Sequence, residues 1–465
     1  MTNKLNLVRR IATIALCVFL THTVHYSQTI SQQAVVKLRS NIDLKNARYF
    51  EFSPASKLLA VQRADGSVQI IDLTDGREQV VLPLSDKTTH ALQWTTDGLR
   101  LLVVDSKSAA VWDARRGTRL SAPIEIRRGK YFQGLDQITL SPDEKSFLSV
   151  REHDTFKSRF LEKDNFRAQV WDLESGRMRF EVKINGLIGG RAQFSPDSKL
   201  LLTSSETDVP KLWDVQTGRL FATLKSAETS ILCGRTYAEF SPDGRFVMVQ
   251  RNQCGVWIWD TSDGILKNTV WLQKDHIGCA LKGFTADGKL FAMAQQRLKG
   301  WSIVTSIEVR DCETGELRST LTETKWEDWP QYVLWSNDGR TFVATSGHKY
   351  KGRVWNVSTG TLKATIPMVL TYSRIPFDFG FKDRDELSIH PTLPIITAAS
   401  NKLVRLWNAE TGELMQTLEK TGGMAEWSTD GKLLLTSTEN RTSVFVWDFV
   451  GSDLITRPRS VDSTL

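Results

Sequence analysis

The sequence predicts an all-β fold, a single closed β-propeller of four-stranded blades, with nine blades favoured and eight the alternative. Three observations carry this. A pair of the Trp-Asp type recurs nine times, as Ile71-Asp72, Trp112-Asp113, Trp171-Asp172, Trp213-Asp214, Trp259-Asp260, Arg310-Asp311, Trp355-Asn356, Trp407-Asn408 and Trp447-Asp448. A tight-turn signal precedes each pair by about twenty residues, as in Phe52-Ser53-Pro54, Ser195-Pro196-Asp197, Ser241-Pro242-Asp243-Gly244 and Ser428-Thr429-Asp430-Gly431. Short apolar runs such as Lys199 to Thr203 flank these turns with the period of strands and not of helices. A unit of about 40 to 45 residues repeated in this way is a module that buries its apolar faces only against its neighbours.

Taken in order, residues 1-27 read as a signal peptide or, uncleaved, a short membrane anchor. Lys4, Arg9 and Arg10 precede the apolar run Ile11 to Leu20, the order of a charged region followed by a hydrophobic one. That run is shorter than the ~17 to 25 residues that span a bilayer. Cys17 follows Leu16, which does not fit a lipoprotein. Residues 34-450 form the propeller and 451-465 a C-terminal tail. Ala34 to Arg39 has strand character ahead of the first repeat, so it is expected to complete the last blade and close the ring, which removes most exposed edges.

Each unit then reads strand, turn, strand, loop, strand ending in Trp-Asp, turn, and an outer strand such as Leu362 to Ile366. In the first turn Pro presets φ, Asp bonds nearby backbone and Gly supplies positive φ. The Trp is large enough to fill the wedge between neighbouring sheets, burying roughly 150 to 250 Å². The Asp or Asn after it caps the following turn through its side-chain oxygen. Both roles are structural.

These repeats resemble the WD40 repeat family, in a degenerate, bacterial-type form, across nearly the whole of 34-450. The resemblance implies a propeller scaffold for protein-protein interaction. The family often adds a buried Asp-His-Ser/Thr-Trp network. Here only Asp275-His276 stands near that place, in the unit that carries Arg310 instead of Trp, and the network is not carried over.

Charge and motif content narrow the function. Lys4, Arg9 and Arg10 supply three of the seven net positive charges, so the remaining chain is only mildly basic and is not expected to bind nucleic acid. The seven histidines are scattered, and the cysteines form no ligand spacing, so no metal is expected. Cys233, Cys254, Cys279 and Cys312 fall in the fifth and sixth units, which in an exported protein reads as one or two disulfides or as buried thiols. Cys233 with Cys279 is the pair whose placement ahead of neighbouring first strands allows a bridge. No serine elbow, phosphate-cradling loop, sialidase-type Asp box or adjacent cysteine pair is present. No catalytic residue and no cofactor are assigned.

The expectation is a non-catalytic protein-interaction platform, a monomeric propeller that is exported to a periplasm or secreted and touches membrane only through an uncleaved N-terminus. Two alternatives stand beside it: a propeller hydrolase or lyase with its site in the central funnel, and a TolB-like periplasmic assembly factor. Partner-binding residues are expected where the repeats carry insertions, on the face opposite the Asp-Gly turns. They are Phe156, Arg159 and Phe160 in the third unit, Trp301 in the sixth, Trp326, Trp329 and Tyr332 on entry to the seventh, and Tyr372, Phe377, Phe379 and Phe381 on entry to the eighth. Aromatics and Arg are the residue types that anchor interfaces.

Overall fold

The computed structural model describes residues 35–451 apart from 45–46, 56, 85–90, 106, 126–136, 153–165, 186–189, 206–207, 226–235, 252–254, 273–275, 300–301, 326–329, 347–350, 368–386, 401–402 and 439–441. The described residues form nine four-stranded antiparallel sheets and no helix. In chain order these are blade 1 (47–81), blade 2 (91–125), blade 3 (137–184), blade 4 (191–223), blade 5 (236–271), blade 6 (276–325), blade 7 (330–367), blade 8 (387–419) and blade 9 (424–449 with 36–43). The favoured count of nine blades is the one adopted.

Within a blade the strands follow one another, as in Arg191–Phe194, Leu200–Ser204, Lys211–Asp214 and Leu220–Thr223 of blade 4. The first strands of adjacent blades approach one another, so they are innermost and line a central channel. Blade 9 departs from sequence order. Its outer strand is Val36–Asp43, antiparallel to Ser443–Phe449 with Val36 opposite Phe449 and Asp43 opposite Ser443. The expected closing strand is therefore found, and it runs four residues beyond Arg39.

The core is divided into nine apolar clusters, one at each seam between blades. The repeated Trp occupies the wedge toward the preceding blade: Trp112 packs with Leu58 and Ile70 of blade 1, and Trp407 with Val354 and Ile366 of blade 7. Trp171, Trp213 and Trp447 also donate their indole N–H groups to Ser149, Thr203 and Thr436 on the adjacent strand, at 3.2, 2.9 and 2.9 Å. Half of the family's buried network thus survives without its histidine. Across the last seam the Thr429 hydroxyl donates to the Pro54 carbonyl at 2.5 Å, and cluster residues from blades 9 and 1 interleave.

The turns behave as their chemistry dictates. Ser195 Oγ donates to Asp197 Oδ1 at 2.6 Å and accepts the Leu200 N–H at 2.9 Å. Asp214 Oδ1 accepts the Thr217 N–H at 2.7 Å, while the Gly218 N–H donates to the Asp214 carbonyl at 2.8 Å. Gly218 has φ 69°, and a Cβ there would stand 2.7 Å from Phe180 Cγ of blade 3. Glycine answers both constraints.

Some boundaries differ from the sequence reading. On either side of the third-unit residues expected to bind a partner, Arg151–Glu152 and Phe166–Arg167 extend strands of blade 3, and Phe166 is buried at the seam with blade 4. Arg297 and Lys299 likewise belong to the ten-residue strand Leu290–Lys299 of blade 6. In both cases cross-strand pairing continues past the point where the apolar alternation fades. Cys279 and Cys312 are buried free thiols, with burial pushing the Cys279 thiol up to about 12. Cys233 and Cys254 lie outside the described residues.

Candidate functional site

The four-strand order places two kinds of connection on one face of the ring: the loops between second and third strands, and the crossings into the next blade. The two tight turns of each blade lie on the other face. Of the residues expected to bind a partner, Phe156, Arg159, Phe160, Trp301, Trp326, Trp329, Tyr372, Phe377, Phe379 and Phe381 lie outside the described residues. Tyr332 alone has a described backbone, on the inner strand Pro330–Trp335 opposite Thr345. The strand ends that bracket these segments, Glu152 and Phe166, Lys325 and Pro330, Pro367 and Leu387, all open onto the loop face.

The inner strands add a group that motif reading missed. Arg191 of blade 4 sets its guanidinium carbon 5.4 Å from the ring centroid of Tyr237 in blade 5, a cation–π arrangement. The Tyr237 hydroxyl donates to Glu239 Oε2 at 2.8 Å. Burial raises the Glu239 carboxyl above its ordinary range, against the lowering pull of the Tyr237 hydrogen bond and of Arg191. Burial, with the neighbouring Glu239 charge, also raises the Tyr237 phenol. On the next inner strand, desolvation lowers Lys282 to about 8. The only sequence signal for this group is position: Tyr237 and Glu239 stand four and two residues before the turn residue Ser241, where side chains point along the channel wall.

Chemically, Tyr237 and Glu239 close on each other, and Arg191 lies over the Tyr237 ring. Among the described residues no group of three or more His, Cys, Asp and Glu side chains could hold a metal ion. The Trp and Asp of each repeat are likewise occupied in seams and turns. The fold's repeated residues therefore account for its architecture.

Comparison with known proteins agrees with that architecture. No protein-family model matches the chain. It is 21% identical over 407 residues to apoptotic protease-activating factor 1 of Danio rerio, covering 84% of this chain and 28% of that protein. It is 24% identical over 241 residues to periodic tryptophan protein 2 of Arabidopsis thaliana, covering 49% of this chain and 23% of that protein. Both relatives carry WD40-type repeats. The chain is a WD40 repeat propeller. It spans about a quarter of the length of these curated relatives. A crystal structure of the eukaryotic initiation factor superposes with a TM-score of 0.61 at 15% identity, covering 85% of the WD40 chain and 94% of that one, a likeness of fold alone. A WD40 propeller of this kind suggests a scaffold for protein interaction.

Proposed function

We propose that this WD40 propeller is a non-catalytic platform whose protein partner engages the loop face. The observation that supports this reading is the division of labour between the two faces. On the turn face the chain is uniform: from Asp72–Gly76 to Asn408–Gly412, the same hydrogen bond closes each outer turn over four residues. On the loop face the spacing between strands varies, from Lys325 to Pro330 in one place and from Pro367 to Leu387 in another. The variable segments hold the aromatic and Arg residues named above, and variable surface loops on a rigid scaffold are where binding commonly resides.

The test is capture of partners by the full chain and by Trp326→Ala and Trp329→Ala variants. Each substitution is expected to weaken a captured partner by ~1 to 4 kcal/mol while leaving the thermal midpoint unchanged within a degree or so. A lowered midpoint with capture intact would make these residues packing groups. Export is part of the proposal, supported by the charged and apolar order of residues 1-27. A reporter active only outside the cytoplasm, fused after that segment, is expected to work, and to fail when Ile11 to Leu20 is deleted. A periplasmic assembly factor would be one instance of such a platform. Among the described residues the enzyme alternative would draw on Arg191, Tyr237 and Glu239, and would show turnover that Glu239→Gln removes without loss of fold.

A further inference from the structure

The turn face has a charge pattern that the repeat does not require. In four of its inner turns acid and base offset one another, since Asp97 meets Arg100 at 3.0 Å, Asp197 meets Lys199 at 3.3 Å, Asp287 meets Lys289 at 3.6 Å and Asp430 meets Lys432 at 3.5 Å. The outer ring is not balanced. Blade 2 presents Arg115, Arg116 and Arg119, and blade 4 presents Arg219, all exposed. Blade 6 presents Glu313 and Glu316, and blade 8 presents Glu410 and Glu413, also exposed. Among these acids Glu313 meets Arg245 at 3.4 Å and Glu410 meets Lys363 at 2.7 Å. The Asp of each basic turn is occupied as a cap, Asp113 by the Arg115 and Arg116 N–H groups and Asp214 by Thr217. Among the described residues the outer ring is thus most basic at blade 2 and most acidic at blades 6 and 8, with Arg219 projecting beside the capped Asp214 on the basic side.

The same ring is apolar at its rim. Two residues or fewer beyond the turn glycine, Met178, Leu220, Ile265, Leu317, Leu362 and Leu414 are 41–59 % exposed. Recurrent exposed apolar groups beside patterned charge are the make-up of a contact surface. A partner of one charge would match only half of such a face. The surface that matches both halves is the same face turned over.

We propose that a second copy of this chain docks on the turn face, about a two-fold axis that runs parallel to the plane of the ring at the turn face and passes over blade 5. Turning a ring over reverses its sense, so blade numbers that meet across this axis sum to ten. Blade 4 then lies over blade 6 of the other copy, and blade 2 over blade 8. Arg219 faces Glu316, and the Arg115, Arg116 and Arg119 group faces Glu410 and Glu413, each contact occurring twice as an isologous interface demands. On the axis Asp263 approaches its own copy, with Lys267 of its own turn 4.0 Å away to offset the repulsion. The loop faces of both copies stay open to other partners.

Sedimentation velocity of the full chain tests this, with Arg219→Glu, Glu316→Arg and the double variant, at low and at high salt. The wild type is expected to dimerise at ~50 mM NaCl and to dissociate as salt screens the contacts toward ~500 mM. Each single reversal sets like charges together twice and is expected to raise the dissociation constant by about tenfold or more, whereas the double variant restores the pairing and returns to within about threefold of wild type. Circular dichroism of all variants checks that the exposed turns leave the fold intact. A chain that stays monomeric at low salt up to ~100 μM would overturn the proposal. So would association indifferent to both reversals, or a double variant no better than the singles.

Discussion

His390 stands where the other eight blades place Ser or Thr before the turn. Its ring does the work of a hydroxyl and more. Nδ1 accepts the Thr392 and Leu393 N–H groups at 3.2 and 3.1 Å, which leaves the proton on Nε2, 3.0 Å from the Gly431 carbonyl of blade 9. The ring also meets Trp427 and Phe449 with centroids 4.7 and 5.1 Å away. Burial lowers its pKa below the ordinary 6.5. Because the folded state disfavours the cation, stability from this group is complete above about pH 6.5 and is lost as pH falls from there through the depressed value. His390→Ser is therefore expected to cost about 1 to 3 kcal/mol at pH 7.5 through the cavity it leaves. The variant should also lose less of its thermal midpoint than the wild type when pH drops from 7.5 to 5. Equal pH slopes would remove His390 from the account.

At the scale of the element, the recurring device is a bulge at the start of the outer strand, found in blade 1 and in blades 3 to 8. In blade 3 Trp171 pairs with Met178 and Val170 with Phe180, so Arg179 is the extra residue, and it turns to pair with Asp172. Lys267 and Arg318 do the same for Asp260 and Asp311, at 3.4 and 2.8 Å. The closing strand of blade 9 copies the device from the other end of the chain: Leu38 pairs with Trp447, Ser40 with Val446, and Arg39 between them meets Asp448. Bulges re-aim a side chain in this way. The arginine and two turn hydrogen bonds hold Asp172 at about 2. Arg179→Ala should raise that value toward the usual carboxylate range in a carboxyl NMR titration. The pair is partly exposed, so the loss of stability at neutral pH should stay below about 1 kcal/mol.

For the molecule as a whole, the sequence made the nine blades, the seams and the turns legible, because each rests on a residue type with one physical use at one position. Trp213 must fill a wedge, and Asp214 must cap a turn. The closing strand was legible as a strand, while its Leu38-Arg39 likeness to Leu317-Arg318 became meaningful only with the register. The channel group was not legible, since Arg191 comes from blade 4 and the Tyr237 and Glu239 pair from blade 5, and no local motif requires them. Of the expected loop-face site only the backbone of Tyr332 is described. Closure itself depends on a clamp: Gln416 of blade 8 accepts the Val35 and Val36 N–H groups at 2.7 and 2.9 Å and donates to the Val36 carbonyl at 3.0 Å. Gln416→Ala should speed hydrogen exchange of residues 36–43 by about tenfold while strands of blades 3 to 5 keep their protection. Uniform acceleration would mean that the ring opens only by global unfolding.

The closing strand also sets a timetable. Residues 36–43 are made some four hundred residues before their partner strand Ser443–Phe449. Earlier blades can form seam by seam as they emerge, because each needs only its neighbour. The flank of blade 1 that packs on blade 9, with Phe50, Phe52 and Leu59, is covered only once blade 9 has been made. Throughout synthesis the nascent chain carries a bare apolar flank and a strand without a sheet, which are the features that recruit chaperones and invite domain exchange between ribosomes on one message.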